Sequence, residues 1–169
     1  MQESEIIQRL NYNSLIFDEI FSIISEEQAR WKPAPEKWSM LEVVNHLCDE
    51  ERYDFRARLD LTLHQPEKEW PPIDPTGWVT SHRYMEQDFN ESGINFLAER
   101  AESINWLQSL KSRAWNNVHN HPKIGPIKAG DLLASWLTHD FLHIRQLANL
   151  NVLYMEKLAR PYSIKYASP

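Results

Sequence analysis

Proline sets the first limit on what this chain can become. Its ten prolines fall into short intervals, at 33–35, 66–75, 122–126 and from 161 onward. A proline inside a helix removes a backbone hydrogen bond and clashes with the preceding turn, so helices must lie between these intervals. The intervening stretches carry apolar residues at helical spacing. Ile6, Ile7, Leu10, Leu15, Ile16, Phe17, Ile20, Phe21 and Ile24 predict a first helix over about 4–30, stopped before "WKPAPEKW".

A second helix is predicted from Ser39, where "SMLE" has the form of a capping box with Glu42 three residues on. It runs to about Leu63 with Leu41, Val44, Leu47, Cys48, Phe55 and Leu59 as its apolar arc. Residues 64–78, "HQPEKEWPPIDPTGW", follow. A connection of that length is either a lid or a linker packed by its own tryptophans. Phe89, Ile94, Phe96, Leu97, Ile104, Leu107 and Leu110 predict a third helix over about 82–112, with Gly93 a weak point inside it. The stretch 116–131 is irregular, closed by Gly125, Pro126 and Gly130, and a fourth helix is predicted over about 131–155. Strand-like alternation and hairpin dipeptides are scarce. The expected fold is all-α: one four-helix bundle domain over 1–169, with long loops at about 64–81 and 116–130. Loops of that length leave room for an order other than up-down-up-down.

Charge and composition narrow the function. A formal charge of -6 and no dense run of Lys or Arg argue against a nucleic-acid partner. The single cysteine, Cys48, can form no internal disulfide and no thiolate zinc site; its neighbours make it a small buried hydrophobe. The N-terminus lacks a basic-then-apolar leader, and no apolar run reaches the roughly 20 residues of a membrane span. These features predict a cytoplasmic protein that does not enter membranes and acts on a small molecule.

The histidines are the chemistry-bearing feature. In "LTHDFLHIRQL", residues 137–147, His139 and His143 lie one turn apart. They share a stripe with Leu132, Trp136, Gln146 or Leu147, and Leu150, and so point into the bundle. A buried imidazole must be neutral and hydrogen-bonded, or bound to a metal. Both readings stand: a satisfied core pair, or two ligands at the spacing that lets one ion be shared. A third ligand should come from another helix, and His46 is the candidate. Its projection falls off the apolar arc, near Glu50 and Tyr53, which predicts an exposed side chain. His64, His82, His119 and His121 are expected at the surface, though "HNH" at 119–121 is a conceivable rival site.

"WKPAPEKWSMLEVVNHLCDEE", followed about ninety residues later by "LTHDFLHIRQLANL", resembles the DinB-like family of metal-dependent helical bundles over nearly the whole chain. The resemblance implies an up-down-down-up four-helix bundle, often a homodimer. It implies a divalent transition metal, zinc or nickel, held by His46, His139 and His143. Relatives include S-transferases that use a low-molecular-weight thiol, bacillithiol or mycothiol, and a thiol-dependent isomerase. By this likeness the chain is a metal-dependent thiol S-transferase, with a metal-dependent hydrolase, a non-catalytic metal-binding module and a metal-free helical dimer as alternatives. Three neutral imidazoles would leave coordination positions open, as catalytic sites do. Asp49, Glu50, Asp140 and Gln146 are candidates to orient the rings, against a competing reading of at least two of them as solvated helix surface. Tyr53 is a candidate hydrogen-bond donor. Arg52, Arg56, Arg58 and Arg145 form no obvious basic pocket for a carboxylate-rich thiol and read equally as surface charges.

Overall fold

The computed structural model describes residues 2–111 and 113–167. Helix α1 spans Glu3–Ser22, and a separate short helix, α2, spans Glu26–Arg30. The expected single helix over 4–30 breaks because Ser25 caps a new one, accepting the Gln28 amide at 3.2 Å. Ser39 caps α3 (Met40–Asp49) through the predicted capping box with Glu42. The chain then passes without a break through a π-helical segment, Glu50–Phe55, into α4, Arg56–His64.

The expected 64–81 loop holds a short helix, and the expected third helix over about 82–112 is two elements. Helix α5 (Pro75–Ser81) is capped by Asp74 with Pro75 in its first turn, Tyr84–Glu86 is a 3-10 turn, and α6 covers Phe89–Ser109. Arg83 at φ 53 interrupts the run, and Asp88 caps α6 by accepting the Glu91 amide. Gly93 lets α1 and α6 approach closely, since a Cβ there would lie 3.3 Å from the Phe21 ring. The stretch expected to be irregular holds a hairpin, β1 (Val118–His121) against β2 (Gly125–Lys128), with His119 opposite Ile127. Gly125, at φ +88, turns it. Helix α7 spans Ala129–Leu158.

Contacts between helices fix the order. Phe17 meets Phe96 and Phe21 meets Phe89, while Arg100 donates to the Leu10 carbonyl; α6 is therefore antiparallel to α1. Arg100 binds Glu51 and Arg56 binds Ser103, so α6 runs parallel to the α3–α4 helix. Trp136 reaches Glu51 while His143 faces His46, so α7 is antiparallel to α3–α4. The order is up-down-down-up, in an all-α four-helix bundle.

That order explains the Pro-rich connection. Parallel neighbours cannot be joined by a tight turn, so the chain after α4 must return along the bundle. Trp70 packs on Arg58, Trp78 on Tyr53, and Tyr84 donates to Asp49 at 2.6 Å. Residues 65–88 are thus a strap laid back along α4 and α3, packed by both tryptophans.

Two apolar clusters fill the bundle. One gathers Phe17, Phe21, Leu41, Val44, Phe96 and Leu147; the other gathers Leu10, Leu59, Ile104, Leu107, Leu133 and Trp136. Between them lies a polar layer. Arg100 is 1% exposed and spans Asp140 (2.7 and 2.6 Å) and Glu51 (2.7 Å); Asn13 and the Trp136 indole complete it. No described helix is long and apolar enough to cross a membrane.

Candidate metal centre

The three histidines singled out in the sequence come together. One nitrogen from each of His46, His139 and His143 lies within 4.8 Å of the other two. α7 contributes the i, i+4 pair, with His143 Nε2 3.1 Å from His139 Nε2. α3 contributes His46, whose ring sits 4.9 Å from that of His143 and 5.5 Å from that of His139. Among the described residues, this is the group of three or more His, Cys, Asp or Glu side chains with metal-ligand spacing.

His46 corrects the sequence expectation: it is 5% exposed. The projection fails because α3 is buried nearly all round, between the core on one side and α2, α5 and the strap on the other. Its off-arc polar residues find local partners instead of water. Glu42 closes the capping box and pairs with Lys32, and Asp49 binds His82 and Tyr84. The π-helical segment adds a phase error, because a single helical projection cannot be carried across it.

Aromatic walls enclose the cluster, Trp38 at 4.9 Å from the His46 ring and Phe55 at 5.0 Å from His139. Burial makes charge costly there. It pushes His46 down to about 3, with the neighbouring His143 adding to the effect. It lowers His139 strongly, with His143, His46 and Arg100 contributing, and lowers His143 as well. All three are neutral imidazoles near pH 7, the protonation state a metal needs.

Of the residues proposed to orient the rings, Gln146 alone hydrogen-bonds one among the described residues. The Gln146 side-chain oxygen accepts from His143 Nδ1 at 2.8 Å, which turns the Nε2 lone pair toward the cluster. Glu50 Oε1 lies 3.9 Å from His46 Nδ1, and neither atom has a hydrogen-bond partner among the described residues. Burial, with the adjacent Asp54, pushes the Glu50 carboxyl up to about 8. Asp49 and Asp140 serve elsewhere, Asp140 in the polar layer. Asp49, Glu50 and Asp140 are all buried and Gln146 is half-buried, so none of the four is solvated surface. Tyr53 is not a donor to the cluster; it is 43% exposed and packs on Trp78 and His82. Cys48 is buried as expected, and burial pushes its thiol up to about 11, the opposite of a reactive thiolate.

His64 and His82 are exposed as expected. His119 is buried, stacked on Trp70 at 4.3 Å with Nδ1 against the Pro66 carbonyl, and His121 is half-buried beside it. This pair anchors the strap to the hairpin rather than forming a rival site. Glu51 and Arg100 were missed. Glu51 hides in the charged run "DEER", but Arg100 falls at helical spacing between Phe96 and Ile104, a stripe that could have marked it as buried.

The spacing suits a transition metal. Nitrogens bound tetrahedrally at about 2.0–2.1 Å would stand about 3.3 Å apart, close to the His139–His143 separation, and His46 would move in from within 4.8 Å. The orphaned His46 Nδ1 and the absence of a carboxylate from the triad fit the same reading.

Fold and cluster together define a helical bundle with a three-histidine site of metal-binding geometry. The chain belongs to the DinB superfamily, whose profile matches residues 16–147. A solved structure, YfiT from Bacillus subtilis, described as a probable metal-dependent hydrolase with an unusual four-helix bundle topology, superposes with a TM-score of 0.77. That match is at 19% identity and covers 88% of this chain and 85% of the other. No functionally curated protein matches the chain.

Proposed function

We propose that His46, His139 and His143 bind one divalent transition ion, zinc or nickel, and that the protein uses it to hydrolyse a small-molecule ester or amide. The observation that carries this is three neutral imidazoles converging from two helices with no carboxylate among them. An ion so held keeps open positions, polarises a carbonyl and brings the pKa of a coordinated water or thiol toward neutrality. In hydrolysis the water oxygen joins the acyl carbon, the C–O or C–N bond breaks, and the leaving alcohol or amine takes a proton. Gln146 fixes the His143 tautomer, and Trp38 and Phe55 keep bulk water from the cluster. The described function of the structural relative supports water as the nucleophile. The DinB resemblance supports a low-molecular-weight thiol as the second reading. The homodimer belongs to the same reading, with Tyr12, Leu15 and Ile16 exposed on α1 as apolar material for it.

Elemental analysis of untagged protein beside His143→Ala tests the site. One equivalent of zinc or nickel in the wild type, lost in the variant, is the expected result. No metal in either, even after incubation with both ions, overturns it. The loaded protein, assayed on aryl esters and amides with and without added thiol, then distinguishes the two nucleophiles.

A further inference from the structure

A groove of about 680 Å³ runs between the Pro33–Trp38 segment and the C-terminal half of α7. His143 and Gln146 line it, so it borders the three-imidazole cluster on the His143 side. Trp38 belongs to both, walling the groove and packing on His46. Its volume falls within the range of small-molecule pockets, about 300–1,000 Å³.

The lining has two characters. Pro33, Trp38, Leu142 and Leu153 give it an apolar wall, with Leu142 47% and Leu153 42% exposed. Leaving such leucines in water forgoes burial, and apolar surface gathered at a concave site marks a binding surface. The charged lining residues are Lys37 and Arg145, and no carboxylate of the described residues lines the groove, although the chain carries 24 acidic against 18 basic residues. Lys32 and Lys157 are each paired with a glutamate. Among the described residues neither Lys37 nor Arg145 has an acid within 4.0 Å.

We propose that this groove binds an amphipathic carboxylate, a hydrocarbon or aryl body with one anionic end. The body lies along Trp38, Leu142 and Leu153, and the carboxylate lies between Lys37 and Arg145. Molecules of this class that also carry an ester or amide are then the substrates of the three-histidine site; that clause rests on the metal-dependent reading, whereas the binding itself does not.

The test is calorimetric titration of metal-free protein with octanoate and with octan-1-ol, so that the carboxylate has no ion to bind. Octanoate should bind at least about tenfold more tightly than the alcohol, the worth of one charge-assisted contact. The double variant Lys37→Gln/Arg145→Gln should lose that advantage and leave octanol binding within about twofold, since its apolar wall is intact. Leu153→Asp should weaken both ligands. Equal affinities, no saturation by either ligand below about 1 mM, or an unchanged double variant overturns the proposal. So does a wild-type dimer that binds no octanoate and dissociates on Leu153→Asp, which would make the face a contact between copies. Failure here leaves zinc uptake untouched, and a protein that binds octanoate yet takes up no metal sinks the metal reading alone.

Discussion

His143 Nε2 lies 3.1 Å from His139 Nε2, two basic nitrogens facing each other in a site that keeps both imidazoles uncharged. One proton between them satisfies both nitrogens without a metal, and a bound ion would require that proton on the far nitrogen of His139, the ring staying neutral. Three ordinary imidazoles would lose about fiftyfold in metal affinity between pH 7.5 and 6.0 through proton competition. Here the loss should stay below about threefold, because the competing protonation is already suppressed. Competition titrations against a chelator at the two pH values measure it, and a steep fall would contradict the assigned protonation states.

Gln146 holds His143 by its side-chain oxygen at 2.8 Å. Gln146→Leu should weaken metal binding by about 10–100-fold with the helical circular dichroism unchanged, the usual effect of losing a partner behind a ligand. Gln146→Glu keeps an acceptor and should retain most of the affinity. Equal losses in both variants would mean that tautomer control is not what Gln146 supplies.

The metal-free protein should lose stability in mild acid. His46 ordinarily titrates at 6.5, but the fold holds it down to about 3. Below pH 6.5 the unfolded chain therefore takes up protons that the folded chain refuses, at roughly 1 kcal/mol per pH unit for each such group. Glu50 works in the opposite sense. Its carboxyl, raised to about 8 from 4.5, contributes fully below pH 4.5 and loses that contribution as the pH rises through 8. Thermal melts of metal-free protein should thus give a Tm that rises from pH 5 to 6.5 and gains nothing further toward pH 8. A Tm flat between 5 and 6.5 would refute the histidine assignment.

Arg100, at 1% exposure, is open to challenge by mutation because its charge is almost wholly out of water. Arg100→Ala leaves the carboxylates of Glu51 and Asp140 buried and facing each other across a void. It should cost about 3–5 kcal/mol in urea unfolding. Arg100→Met, with Glu51→Gln and Asp140→Asn, removes charge on both sides and should recover much of that loss. A single Arg100→Ala with wild-type stability would show that the polar layer is not a closed network.

Sequence alone went far where local chemistry acts. Ser39 and Glu42 declared a helix start that the structure reproduces bond for bond. Prolines bounded the helices, and the i, i+4 spacing of His139 and His143 put both on one inward stripe. Other capping residues were equally local and were passed over. Ser25, Asp74 and Asp88 each accept an amide within three residues; Ser25 and Asp88 divide what periodicity joined, and Asp74 starts a helix inside the expected loop. The hairpin was missed because its strands span only 118–121 and 125–128, too short for alternation to stand out.

The sequence by itself determined the four main helical segments, their inward faces and two of the three imidazoles, because these follow from spacing, propensity and capping within a few residues. The tertiary structure alone decided which surfaces lose their water. A periodic pattern sorts residues only when a helix has one wet side, and α3 has almost none. So His46 looked exposed along the chain, with Asp49 and Glu50 open to a solvated reading, and all three are buried in the fold. Their place was set by α7, the polar layer and a strap that reaches them from more than thirty residues away, contacts no local rule can supply.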